Sequence, residues 1–251
     1  RLKKLEAKLR PAFFYAVGDN RILNSDFTLG VVGSRNATKE ELSVVESICT
    51  EASNKEIVIV SGGAKGIDLT ATTAALKNGG KAIIFPSTGI GEFLKAQDNL
   101  QYIQNGQLLV LSTQSTYTRF TGAYAMERNK FIHVCGDNVL IGASEISTAK
   151  KSGTWEGVQE NIKFKWSPLY GVGDSPGVKE VLNQKQANLY TSLEEIYSFN
   201  KRTAIALEKN MEQLVIKALN NGIENAEIIE ILNRLTGRLA QKVVQSEDEM
   251  D

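Results

Sequence analysis

Histidine is almost absent from this chain: His133 is the one copy among 251 residues. Catalysis that turns on imidazole, and metal centres built from several histidines, have little to work with. Cysteine is nearly as scarce. Cys49 and Cys135 are the two copies; they form no zinc pattern, and a reduced pair in a cytoplasmic protein is the simple reading. No apolar run approaches the ~18 residues of a membrane-spanning helix, and the longest, at 57–60 and 82–85, are the size of strands. Net charge is lacking too, since 29 basic and 29 acidic residues cancel. A nucleic-acid binder ordinarily presents a basic surface. Such a function here needs its positive charge gathered on one face, with the acidic stretch carrying Glu40, Glu41, Glu46 and Glu51 placed elsewhere.

What remains is an ordinary soluble composition, 42% hydrophobic and 23% charged, enough apolar material for a sizeable core. Apolar runs at 28–34, 56–61, 81–86, 108–112 and 138–142 read as strands. Helical patterns at 38–53, 67–77, 92–105 and 122–134 lie between them. Thr38, with Glu41 three residues on, predicts a capping box at the start of the first helix. Strands apolar on both faces, alternating with helices, predict an α/β protein with a parallel sheet and helices on both faces. Further helices are expected at 152–163 and from Pro176 to 184. The pattern predicts a lead-in over 1–27, a main domain over 28–200, and a small helical C-terminal appendage with an acidic tail over 201–251.

Two loops carry the chemistry. Gly33, Ser34 and Arg35 leave the first strand just before a helix. Ser61, Gly62, Gly63, Ala64, Lys65 and Gly66 leave the second strand in the same way. In an open parallel sheet such loops converge on the ligand crevice. Glycines admit an anion close to backbone N–H groups, and the following helix N-terminus adds partial positive charge. The pattern describes a phosphate site, although a strand–turn–helix connection of this kind also serves as a tight turn with no ligand. Neither common nucleotide motif is present. No glycine is followed by Lys-Ser or Lys-Thr, and Ser61 stands where a dinucleotide fingerprint has its first glycine. Phe85-Pro86-Ser87 occupies the place of the ribose-binding acid, so NAD and ATP are poor candidates and no cofactor or metal is expected.

Two more segments join the candidates. Arg128 and Lys130 are placed to touch backbone phosphates and Asn129 a base, sugar or loop carbonyl; a solvated helix face is the plain alternative. Ser152, Gly153 and Thr154 form a small hydroxyl-rich turn opening a helix, a second seat for an anion or an ordinary capped start. Phe120 and Tyr124 have the chemistry to stack on bases, but aromatics at helical spacing are more often core and are left out of the site. His133, between Ile132 and Val134, reads as structural.

These blocks, with Gly79-Gly80-Lys81 between them, resemble in order and spacing the characteristic motifs of the DprA/Smf family of DNA-processing proteins. The resemblance runs from about Pro11 to Tyr197. It implies an extended Rossmann-like fold, a homodimer, binding of single-stranded DNA, protection of incoming strands in natural transformation, and loading of the RecA recombinase. By position it places Arg35, Lys65, Arg128 and Lys130 in the DNA groove, with Gly33, Ser34, Gly62, Gly63 and Gly66 supplying amides. The chain departs from the family at Thr72, where a histidine is usual, and at Gly142, where an acid precedes the alanine. Residues 211–245 resemble a shortened winged-helix domain. Together these departures mark a divergent member.

Two other functions fit parts of the pattern. LOG-like nucleotide phosphoribohydrolases share the fold, and Arg128-Asn129 with Ser152 to Glu156 partly resemble their motifs, Glu156 falling one residue early. A sensor binding a nucleotide-derived signal in the same crevice is the other.

Overall fold

The apolar runs become neighbouring strands in a computed structural model that describes residues 1–96, 99–147 and 152–197, with scattered positions from Ile216 to Glu230. The strands are β1 (Tyr15–Gly18), β2 (Thr28–Gly33), β3 (Val58–Ser61), β4 (Ala82–Ile84), β5 (Leu108–Ser112), β6 (Asn138–Ala143), β7 (Leu169–Gly171) and β8 (Asn188–Leu189). They form one eight-stranded sheet in the order β1-β5-β4-β3-β2-β6-β7-β8. β2 through β8 pair with one another in parallel. β1 runs antiparallel to β5, so the sheet is mixed rather than wholly parallel, and part of the expected lead-in belongs to it. Four mostly exposed residues at an edge carry no clear alternation, and β7 and β8 are shorter still; none of the three announces itself in the sequence.

The helices are α1 (Lys39–Asn54), α2 (Ile67–Lys77), α3 (Ile90–Ala96), α4 (Leu100–Gln104), α5 (Gly122–Cys135), α6 (Gly153–Phe164), α7 (Pro176–Asn183) and α8 (Leu193–Ile196). They cover both faces. Val58, Val60, Ile83, Leu109, Val139 and Ile141 belong to one layer with Phe131 and Val134 of α5, Val158 of α6 and Val181 of α7. Ala82, Ile84, Leu108 and Val110 belong to the other, with Leu76 of α2 and Ile90 and Phe93 of α3. Strand residues thus alternate between layers while every residue of β3, β4, β5 and β6 is buried, the mark of a covered parallel sheet. The single helix expected over 92–105 is two, α3 and α4. Asn99, a residue type that disfavours helix interiors, stands in that run as the N-cap of α4.

The chain divides into two units, Arg1–Ile196 and Tyr197–Asp251. The helices expected over 201–244 and the acidic tail lie mostly outside the described residues; of those described, Ile216, Asn220, Glu227, Ile228 and Glu230 are helical.

The expected capping box is formed. Thr38 N–H donates to Glu41 Oε2 at 2.8 Å, and Glu41 N–H donates to Thr38 Oγ1 at 3.2 Å. Thr38→Ala should cost about 1 kcal/mol, read as a lower urea midpoint with an unchanged m-value.

Candidate nucleic-acid interface

Strand order decides where a ligand goes. The chain builds β2, β3, β4 and β5 outward in one direction, then returns to lay β6 on the other side of β2. The loops after β2 and β6 therefore leave the sheet in opposite directions, and a crevice opens between them. The β2–β6 register shifts between Val32 and Gly33 at that mouth, and Ser34 N–H donates to Ala143 O at 2.9 Å. The crevice is a cleft of about 740 Å³.

The loops after β2 and β3 are fitted together. Gly66 caps α2 with φ of 87°, a left-handed conformation that favours glycine. A Cβ there would also lie 2.3 Å from Ser34 O. Ile67 N–H donates to that same oxygen at 3.2 Å. Gly66 is thus a seat for the Ser34–Arg35 backbone.

Of the residues expected in the site, Gly33, Ser34, Arg35, Arg128, Asn129, Ser152, Gly153 and Thr154 line the cleft. The others do not. Ser61 is fully buried, and its hydroxyl donates to Val31 O at 2.7 Å. Gly62 lies under the Arg128 side chain: a Cβ on it would be 1.5 Å from Nη1 and 1.8 Å from Cζ. Gly63 packs instead toward Ile84 and Phe93. Lys65 is exposed outside the cleft. Lys130 is mostly covered, its ammonium 3.9 Å from Glu127 Oε1 and 5.1 Å from the Phe131 ring centre.

The charge in the cleft comes from few sources. Arg35 is exposed, makes no ion pair among the described residues, and holds its guanidinium 5.1 Å from the Phe120 ring centre. Phe120 is half exposed and lines the rim, so its reading as core is corrected; Tyr124 does not line the cleft. The starts of α5 and α6 both open here through Gly122 and Ser152–Thr154, capped by Thr121 Oγ1 on Tyr124 N at 3.1 Å and Ser152 Oγ on Trp155 N at 3.3 Å. Helix N-termini carry partial positive charge. Asn129 Nδ2 donates to Gly153 O at 2.8 Å, tying α5 to the start of α6. Exposed Glu145 is the one unpaired carboxylate among the described lining residues. Asp68, which the sequence reading passed over, lines the cleft and accepts from Arg128 Nη2 at 3.1 Å, both side chains 8% exposed. Burial pushes the Asp68 carboxyl up, while Arg128 and a hydrogen bond with the Ala64 backbone pull it down. Among the described residues no group of three or more His, Cys, Asp or Glu could hold a metal, and no helix is long and apolar enough to cross a membrane.

Comparison with known proteins settles the lineage. The family model for DNA recombination-mediator protein A matches residues 1–201. This chain belongs to the DNA recombination-mediator protein A family. It is 48% identical over 84 residues to DNA processing protein DprA of Streptococcus pneumoniae, covering 33% of this chain and 29% of that protein. It is 30% identical over 146 residues to the DprA of Bacillus subtilis, covering 57% of this chain and 48% of that one. The chain thus matches less than half the length of either relative. The solved S. pneumoniae DprA superposes with a TM-score of 0.67 at 28% identity, over 78% of this chain and 68% of that one. DNA processing protein A of Helicobacter pylori, which binds single-stranded DNA, gives 0.65 at 23% identity over 82% and 92%; at that identity the likeness is one of fold. Within the family's extended Rossmann-like frame, the cleft lies at the switch point that the strand order creates.

His133 forms part of the cleft floor although fully buried. Burial first, and then the Arg128 charge, depress its pKa from 6.5 to about 3, so it stays neutral in the fold and adds no charge to the site. The unfolded chain takes up this proton below 6.5 and the fold does not, so the stability tied to neutral His133 is lost as pH falls from 6.5 toward 3. His133→Leu should remove about 2 kcal/mol of acid destabilisation at about pH 5 and change little at pH 7, read from urea midpoints of both proteins at the two pH values.

Proposed function

We propose that this chain binds single-stranded DNA through the cleft at the β2/β6 switch point, largely without regard to sequence and without covalent chemistry. The observation that carries the reading is Arg35: an unpaired guanidinium held over an exposed aromatic ring, with two helix N-termini opening onto the same cleft. Cationic groups and amide dipoles bind the phosphate backbone. An aromatic face at the rim receives a base of any identity, because every base has a π-face. Family membership supports DNA as the ligand. In the same reading the protein acts in the cytoplasm as a homodimer in DNA recombination and natural transformation, protects incoming strands and passes them to RecA. A dimer sets two clefts on one strand and raises apparent affinity through effective concentration.

A nucleotide phosphoribohydrolase is less well supported. Glu156, the acid that its motif would need, does not line the cleft, and Asp68 is committed to Arg128.

Fluorescence anisotropy of labelled oligo-dT across a salt series, with duplex DNA as competitor, tests the proposal. Tight binding that weakens steeply with salt and prefers the single strand is expected. Arg35→Ala should weaken it and flatten the slope by about 0.7, one phosphate on a single strand. Lys65→Ala, outside the cleft, should do less. Absence of oligo-dT binding at low salt, with release of free base from AMP, would replace the proposal with the enzyme reading.

A further inference from the structure

Arg128 is unlike the other cations of the site. Its head is buried, and Nε and Nη1 are sealed from solvent with no hydrogen-bond partner among the described residues. A phosphate in the cleft cannot reach those two nitrogens without moving the protein around them. The third nitrogen is bound to Asp68, the second residue of α2. The plane of the guanidinium occupies the space that a side chain on Gly62 would fill. One side chain of α5 therefore presses on the turn after β3 and grips the first turn of α2. That first turn is also where Gly66 and Ile67 seat the Ser34–Arg35 backbone.

We infer that Arg128 is a positioning residue for the phosphate-binding rim and not one of its phosphate contacts, with the Asp68 carboxylate as its required partner. The chain of contact runs from Arg128 through Asp68 and Gly62 to Gly66, and from Gly66 to the backbone that presents Arg35. Electrostatics point the same way. Arg128 and Asp68 cancel within 3.1 Å, so the pair adds little net attraction for an anion while Arg35 stands unpaired. Nor is the arrangement a stability device. Buried donors without acceptors are costly, and a buried ion pair is often no better than apolar residues of similar size. What the pair supplies is a fixed geometry: one nitrogen is tied to Asp68 while the flat guanidinium lies against Gly62, a plane that the ammonium of lysine lacks.

The inference rests on the single-stranded DNA reading, and its test separates the two. Arg128→Gln, Arg128→Lys and Asp68→Asn are compared with the unmodified chain for oligo-dT affinity across salt, and for amide exchange of 33–36 and 62–68 without DNA. All three should weaken binding between about two- and thirtyfold with the wild-type salt slope, and exchange in both loops should quicken. The apolar pair Arg128→Met with Asp68→Leu, which fills the same space without charge, should keep its melting temperature and still lose affinity. A slope flattened by about 0.7 in Arg128→Gln, rescue by Arg128→Lys, or tighter binding by Asp68→Asn would make Arg128 a phosphate contact and overturn the inference. Wild-type affinity in the folded apolar pair would overturn it as well. If the unmodified chain fails to bind oligo-dT, the DNA reading falls, and unchanged loop exchange in the variants would then dispose of the positioning role separately.

Discussion

The cleft depends on two loops lying closer together than side chains would ordinarily permit. Where β2 and β3 end, Gly66 leaves room for the Ser34–Arg35 backbone, and Gly62 leaves room for a guanidinium from the far side of the sheet. These are approaches of backbone to backbone and of backbone to a planar cation. With side chains at those two positions, α2 could not start where it does, and the first turn of that helix could not face the crevice. The sheet supplies the rest. Its strand order changes direction between β2 and β6, so the crevice lies at the carboxyl ends of central, buried strands.

On this scaffold a chain of zero net charge gathers positive charge in one cleft by distribution rather than by excess. Glu40, Glu41, Glu46 and Glu51 lie on α1, and none lines the cleft. Glu41 is spent on the capping box and Glu51 lies 3.9 Å from Lys55. Within the cleft the buried cation is matched by Asp68, and buried His133 is kept neutral. Exposed Glu145 opposes a lone exposed guanidinium and two helix N-termini. Positive charge in the cleft is therefore concentrated at the rim around Arg35 rather than spread over a face.

Much of this was legible in the sequence because it depends on local rules. The five buried central strands, the Thr38 capping box, the α2 boundaries at Ile67 and Lys77, and the two loops at strand ends all follow from periodicity and from where glycine stands. What was not legible depends on contacts distant in sequence. β1 has strand character because Tyr15 through Gly18 meet Leu109 through Ser112, a pairing that no local pattern announces. Asp68 looked like a first-turn helix residue, and its partner is sixty positions away. Gly62 and Gly63, adjacent in sequence, face opposite surroundings, one under Arg128 and the other beside Phe93. Spacing alone assigns Phe120 to the core; in the fold it is half exposed at the rim, with the Arg35 guanidinium of another loop 5.1 Å from its ring centre.

The central claim is that the cleft at the β2/β6 switch point is where the strand is held, and hydrogen–deuterium exchange of the full chain with and without saturating oligo-dT tests it most directly. The account predicts slower exchange on binding at 34–36, at 120–126 and at 152–155, with α1 unchanged. Binding that leaves those three segments unprotected and slows exchange on α1 or beyond Ile196 would place the DNA elsewhere and contradict the account.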